Sequence, residues 1–217
     1  MQSDDMETNW AAENLQTIRT LMERSALYRR AMAPIMTFCG VVGIVAGIAG
    51  WQLQINSDRG FVLFWNSVAA AVLLGSLLLV RRQALKDAEP FWSLPTRRVA
   101  QAMLPPLAVG MFVGIAIAFG IESRGANAML QNVLITMWAS FYGCALHSAG
   151  FSISRGIRIL GGIFITAGCI LLVNVICSEQ FKSVTLQPHL LMAGVFGGLH
   201  LTSGIYLYFT EKRGNES

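Results

Sequence analysis

Residues 31–51, AMAPIMTFCGVVGIVAGIAGW, decide the fold: the stretch contains no Asp, Glu, Lys or Arg. A helix needs about 20 mainly apolar residues to cross the hydrocarbon core of a bilayer, and this segment meets that requirement. Five more segments do the same, at Gly60–Val80, Gln101–Ile121, Ala128–Ala149, Ile157–Val175 and Pro188–Tyr208. The 16 basic and 12 acidic residues fall in the tails and connections, apart from Arg158 at the edge of the fifth segment. A hydrophobic share of 54% against 13% charge lies far from soluble composition. The reading is an all-α polytopic membrane protein with one six-helix domain over residues 31–209. Short tails flank it at 1–30 and 210–217, and no room is left for a separate soluble domain.

The first thirty residues are polar, whereas a cleavable signal peptide needs a short apolar run after a basic start. The first span is therefore expected to remain as an anchor, and neither end carries a lipidation motif. Positive charge resists translocation, so the side richer in Lys and Arg stays in the cytoplasm. With both termini inside, the inner side holds Arg19, Arg24, Arg29, Arg30, Arg81, Arg82, Lys86, Arg97, Arg98, Arg155, Arg158, Lys212 and Arg213. Only Arg59, Arg124 and Lys182 fall outside. The expected topology is N-in, C-in. The net charge of +4 then marks topology and headgroup contact rather than nucleic-acid binding.

Ahead of the first span, Leu15, Ile18, Met22 and Ala26 recur at helical spacing with Arg19 and Glu23 on another face. This predicts an amphipathic helix over Asn14–Arg30, capped by Thr8 or Asn9 and lying in the inner interface. The longest inner connection, RRQALKDAEPFWSLPTRRVA at 81–100, carries Pro90 and Pro95, which interrupt a continuous helix. Phe91 and Trp92 stand there between basic clusters that include Arg97 and Arg98. Their residue types suit either interfacial anchors or a cytoplasmic docking surface for another protein. Pro105 and Pro106 cost little if they open the third span, but perturb a helix that begins earlier.

Small residues recur at four-residue spacing: Gly43/Gly47, Ala46/Gly50, Ser67/Ala71/Gly75, Gly110/Gly114/Ala118 and Gly194/Gly198. In lipid such stripes let helix backbones approach, so they are expected to mark helix seams, within the bundle or in a homo-oligomer. The spans also pair into three Gly-rich hairpins, a weak parallel repetition of a two-helix unit. Cys39, Cys144, Cys169 and Cys177 form no C-x-x-C pair and have no His at ligand spacing, which suits small apolar packing residues.

The polar residues inside spans are the remaining candidates for chemistry. His147 and His200 head them, because an ionisable group within a membrane is a functional hypothesis by default. With Tyr142 and Asn132 they form a candidate interior polar site. Satisfied structural contacts, a proton-responsive or solute-binding pair, and axial haem ligation all suit histidine. His189, beside Pro188, is expected at the outer interface. Asn66, Gln131, Thr136, Ser140, Asn174 and Ser203 read as hydrogen-bonding glue between helices. No H-E-x-x-H, G-x-S-x-G or phosphate-binding glycine loop occurs, and no span holds a carboxylate pair. The expectation is therefore a non-enzymatic protein without a cofactor.

Three stretches, LMERSALYRRAMAPIM at 21–36, EPFWSLPTRRVAQAMLPPL at 89–107 and YGCALHSAGFSISRGIR at 142–158, resemble a group of small six-span bacterial inner-membrane proteins without an assigned activity. The resemblance implies the bacterial cytoplasmic membrane and draws attention to Tyr142, His147 and Arg155, but it carries no catalytic or binding role. The leading expectation is an accessory or interaction protein embedded in the membrane, with a membrane-protein partner or a second copy. A small transporter for a neutral or weakly polar solute, and a haem or redox subunit, are the alternatives.

Overall fold

The computed structural model describes residues 32–86, 88, 91–92, 94–120, 128–177 and 187–215. Within them the chain forms six helices long and apolar enough to cross a membrane. They are α1 (Met32–Gln52), α2 (Asp58–Lys86), α3 (Leu94–Gly120), α4 (Ala128–Gly150) and α5 (Arg155–Cys177). The sixth, α6, runs through Pro188–Met192, a π-turn over Ala193–Gly198, and Leu199–Asn215. No strand occurs among the described residues. The amphipathic helix expected over Asn14–Arg30 lies outside them.

The spans fall where composition placed them, but three run past the apolar limits by more than a turn at one end. Helix α2 begins two residues early, at Asp58, and continues through Arg81 and Arg82 to Lys86. Helix α3 starts at Leu94, so Pro105 and Pro106 lie in its interior rather than at its opening. Each removes an N–H, which leaves the carbonyls of Gln101 and Ala102 without their usual intrahelical partners. Helix α6 continues to Asn215, through most of what reads in sequence as a tail. Hydrophobic length thus reports the buried hydrocarbon depth and not the helix ends, because polar residues extend a helix into the headgroup region at no burial cost.

Glycine sets which helices touch. On α4 and α5, a Cβ added to Gly143 would lie 2.7 Å from the Ile165 backbone nitrogen and 2.8 Å from the Gly161 carbonyl. One added to Gly161 would meet the His147 backbone. These two helices, joined by the short turn at residues 151–154, are therefore packed backbone to backbone. The seam lies between the second and third hairpins, so this close pairing crosses the boundary of the two-helix repeat expected from sequence. The second close seam joins the first helix to the last. Gly43 faces Gly197, with Cα 2.9 Å from a would-be Cβ, Gly47 faces Ala193, and Gly50 lies under the His189 ring.

Gly194 and Gly198, expected in a seam, instead face open space, since a Cβ at either meets nothing closer than 4.0 Å. The positions that meet α1 are Ala193, Gly197, Leu201 and Gly204, which follow ordinary helical spacing. Ala193/Gly197 and Gly194/Gly198 have the same four-residue interval, so small-residue spacing alone does not choose between the two rows.

The interior fills from these seams. Phe164 of α5 is fully buried and packs with Met32, Ile35 and Met36 of α1 and Ala139 and Leu146 of α4. A second cluster joins Ala46, Phe61, Trp65, Ile135 and Met192. Trp138 bridges α4 to α2 and α3: its ring stacks on Phe61 at 6.2 Å and lies over Gly114, while its indole N–H donates to the Gly110 carbonyl at 2.8 Å.

Candidate functional site

The four residues proposed for one interior polar site divide into three places. Tyr142 and His200 come together. The Tyr142 hydroxyl lies 2.7 Å from His200 Nε2, and His200 Nδ1 lies 2.6 Å from the Phe196 carbonyl. A carbonyl only accepts, so Nδ1 carries the proton, and in the neutral ring Nε2 accepts from the tyrosine. Phe164 and Phe196 close the cluster, with centroids 5.1 and 5.6 Å from the Tyr142 ring. Both histidine nitrogens are thus engaged by the protein. Haem ligation through Nε2 would have to displace the tyrosine hydroxyl.

His147 does not join this pair. It stands at the α4–α5 turn, where Nδ1 donates to the Arg158 carbonyl at 3.1 Å and its ring meets the edge of Phe151. It lies five residues beyond Tyr142, about 7.5 Å along the helix axis, and no hydrogen bond or ring contact links it to His200 among the described residues. Asn132 lies ten residues before Tyr142, about 15 Å away along α4. It is buried, and its Oδ1 has no hydrogen-bond partner among the described residues.

The polar residues read as interhelical glue mostly bond within their own helix. Asn66, Asn174 and Ser140 each donate to the carbonyl four residues earlier, and Thr136 to the one three earlier. Such bonds satisfy the donor in lipid without joining helices. Gln131 is the exception: its Nε2 donates to Asp58 Oδ1 at 2.7 Å and to the Asn56 carbonyl at 2.8 Å.

Sequence reasoning missed this end of the bundle. Asp58 reads as a loop residue, yet it is only 2% exposed and opens α2 against α4. His189 reads as interfacial, yet it is the most enclosed histidine. Its Nε2 donates to the Ile55 carbonyl at 3.0 Å, and its Nδ1 accepts the Trp65 indole N–H at 3.2 Å. Phe61, Phe64 and Trp65 surround the ring, with centroids 5.0, 5.6 and 6.1 Å away. Gln131 and His189 therefore clamp consecutive carbonyls of the α1–α2 turn, in which Gln54 adopts a positive φ of 53°. The pattern F61-V-L-F64-W65 beside an Asp at a span entrance is the signal that could have found this cluster.

At the opposite end, Arg81, Arg82, Lys86, Arg97, Arg98, Arg155 and Arg158 gather by alternation of the helices. Phe91 and Trp92 lie there with rings 6.3 Å apart; Phe91 is half-buried and held through its carbonyl by the Thr96 hydroxyl, while Trp92 is 63% exposed. Arg97 and Arg98 are exposed as well. The four cysteines are free thiols, three of them on exposed faces, and the described residues contain no cluster of three or more His, Cys, Asp or Glu able to hold a metal ion.

Fold and site together define a multi-pass integral membrane protein with a filled, aromatic interior. No family model, curated protein or solved structure matches the chain.

The Tyr142–His200 bond gives a first prediction. Tyr142→Phe keeps the ring packing but leaves His200 Nε2 unpaired in an apolar site. Stability in detergent micelles is expected to fall by about 1–2 kcal/mol, read as a lower melting temperature with unchanged helicity.

Proposed function

We propose that the protein is a non-enzymatic accessory protein of the bacterial inner membrane. In this reading both termini and the basic end face the cytoplasm, and the protein acts by holding another membrane protein rather than by passing a solute. The observation that carries this is the state of the centre: both nitrogens of His200 are satisfied inside a packed ring cluster, and Phe164 beside it is fully buried. A solute path through the same residues would require that cluster to open. Recognition then falls to the outer surfaces. Among them Trp92, Arg97 and Arg98 combine an exposed aromatic with two exposed cations, a residue set enriched at protein interfaces.

The test is a photo-cross-linking amino acid placed at Trp92 in growing cells. The expected result is a discrete adduct with one second polypeptide, identified by mass spectrometry and lost when Arg97 and Arg98 are both replaced by Gln. Adducts with lipid alone, together with a solute gradient that collapses on His200→Ala in a folded protein, would replace this reading with transport.

A further inference from the structure

Helix α5 presents a buried face and an open one. Ile157, Leu160, Gly161, Phe164, Gly168 and Val175 turn inward. The outward face carries a shallow apolar groove of about 460 Å³ lined by Ile159, Gly162, Ile163, Thr166, Ala167 and Ile170. Gly162 is its floor, since a Cβ there meets no atom within 4 Å, and Ile159, Ile163 and Ile170 are its exposed walls. From Ile159 to Ile170 the groove runs about 16 Å along the axis. That is close to the depth of one leaflet, half of a hydrocarbon core about 30 Å thick.

One turn before the Ile159 end of the groove, the same helix carries charge. At 3.6 residues per turn, Arg155, Ile159, Gly162, Thr166 and Ile170 share a sector about 80° wide, so Arg155 stands at the head of the strip. It is exposed, and Arg158 lies beside it with its guanidinium 5.0 Å from the centre of the Phe151 ring. Phe151 is itself 69% exposed at the helix boundary, where aromatic and basic side chains meet headgroups. Among the described residues neither arginine has a carboxylate partner.

We infer that this face binds one anionic phospholipid, with its phosphate on Arg155 and Arg158 and an acyl chain along the Gly162–Thr166 floor. A basic head joined to an apolar strip one leaflet long fits the two halves of such a molecule. A second copy fits less well. Copies in one membrane share an orientation, so a symmetric pairing across this strip sets Arg155 and Arg158 against their own counterparts, and like charges in apposition disfavour the contact.

The test uses the purified full-length protein in mild detergent, titrated with phosphatidylglycerol, with phosphatidylcholine of the same chains, and with inorganic phosphate, and read by native mass spectrometry. One phosphatidylglycerol is expected to be retained in preference to phosphatidylcholine, and inorganic phosphate should not displace it. Arg155→Gln and Arg158→Gln should each lower that retention about fivefold. Gly162→Leu fills the floor without touching the bundle. It should lower retention of both lipids while the melting temperature holds. Equal retention of the two lipids overturns the inference, as does a double arginine variant that still holds phosphatidylglycerol. Displacement by inorganic phosphate would make this a free-anion site instead, and an unaffected Gly162→Leu protein would remove the acyl chain from the groove.

Discussion

Gly161→Ala is expected to destabilise the bundle by about 3 kcal/mol or more, through a single methyl group. The added carbon would press on the His147 backbone and on the Gly143 carbonyl. Neither is the free end of a side chain that could swing away, so relief requires α4 and α5 to separate. Separation would loosen Phe164 from Ala139 and Leu146 and draw the Arg158 carbonyl away from His147 Nδ1. The adjacent Gly162→Ala is the internal control. The same methyl there meets nothing within 4 Å, and alanine is the better helix former. Unfolding measured in mixed micelles should therefore rank Gly162→Ala at or above the parent and Gly161→Ala far below it. Equal behaviour of the two would mean that the α4–α5 seam does not hold the bundle together.

His189→Ala is expected to be about as damaging, at roughly 4 kcal/mol, for a different reason. The substitution removes a ring from among Phe61, Phe64 and Trp65 and leaves a cavity beside Gly50. It also strands the Trp65 indole N–H and the Ile55 carbonyl, both of which His189 satisfies. Trp65→Phe removes one donor and keeps most of the packing, so its cost should stay near 1–2 kcal/mol. Hydrogen exchange gives the spatial check. His189→Ala should speed exchange in the turn at residues 53–57 and leave the α4–α5 seam protected. Ring nitrogen shifts of the parent protein should show the proton of His189 on Nε2.

The membrane architecture is legible in the sequence because its cause is local: each span is a run of apolar residues whose length matches the hydrocarbon core. The seam positions are legible in part. Gly43 and Gly47 face a neighbour as small-residue spacing predicts, but their partners are Gly197 and Ala193 and not Gly194 or Gly198. Ala193/Gly197 and Gly194/Gly198 share one four-residue interval, so spacing alone does not say which row meets α1. The candidate polar site was legible only as Tyr142 and His200. Counting residues to the nearest arginine gives depth, but the side of the helix on which a neighbour packs depends on tertiary contacts, and this separates His147 from His200. Asp58 and His189 escaped for a related reason. Both sit at span entrances, where the amino-acid types are the same whether a residue meets water or is covered by another helix. Only the placement of α4 and α6 over the α1–α2 turn distinguishes the two cases.

The seam between α1 and α6 has a consequence for how the protein is made. Gly43, Gly47 and Gly50 find their partners on α6, four helices further along the chain than α2. At roughly 5–20 residues per second, the chain between the end of α1 and the start of α6 takes roughly 7–27 seconds to emerge. Throughout that interval the glycine face of α1 is in the bilayer without its native neighbour. The seam between α1 and α6 therefore closes only once α6 has been made, and a ribosome stalled before α6 would leave the glycine face of α1 open to a foreign helix.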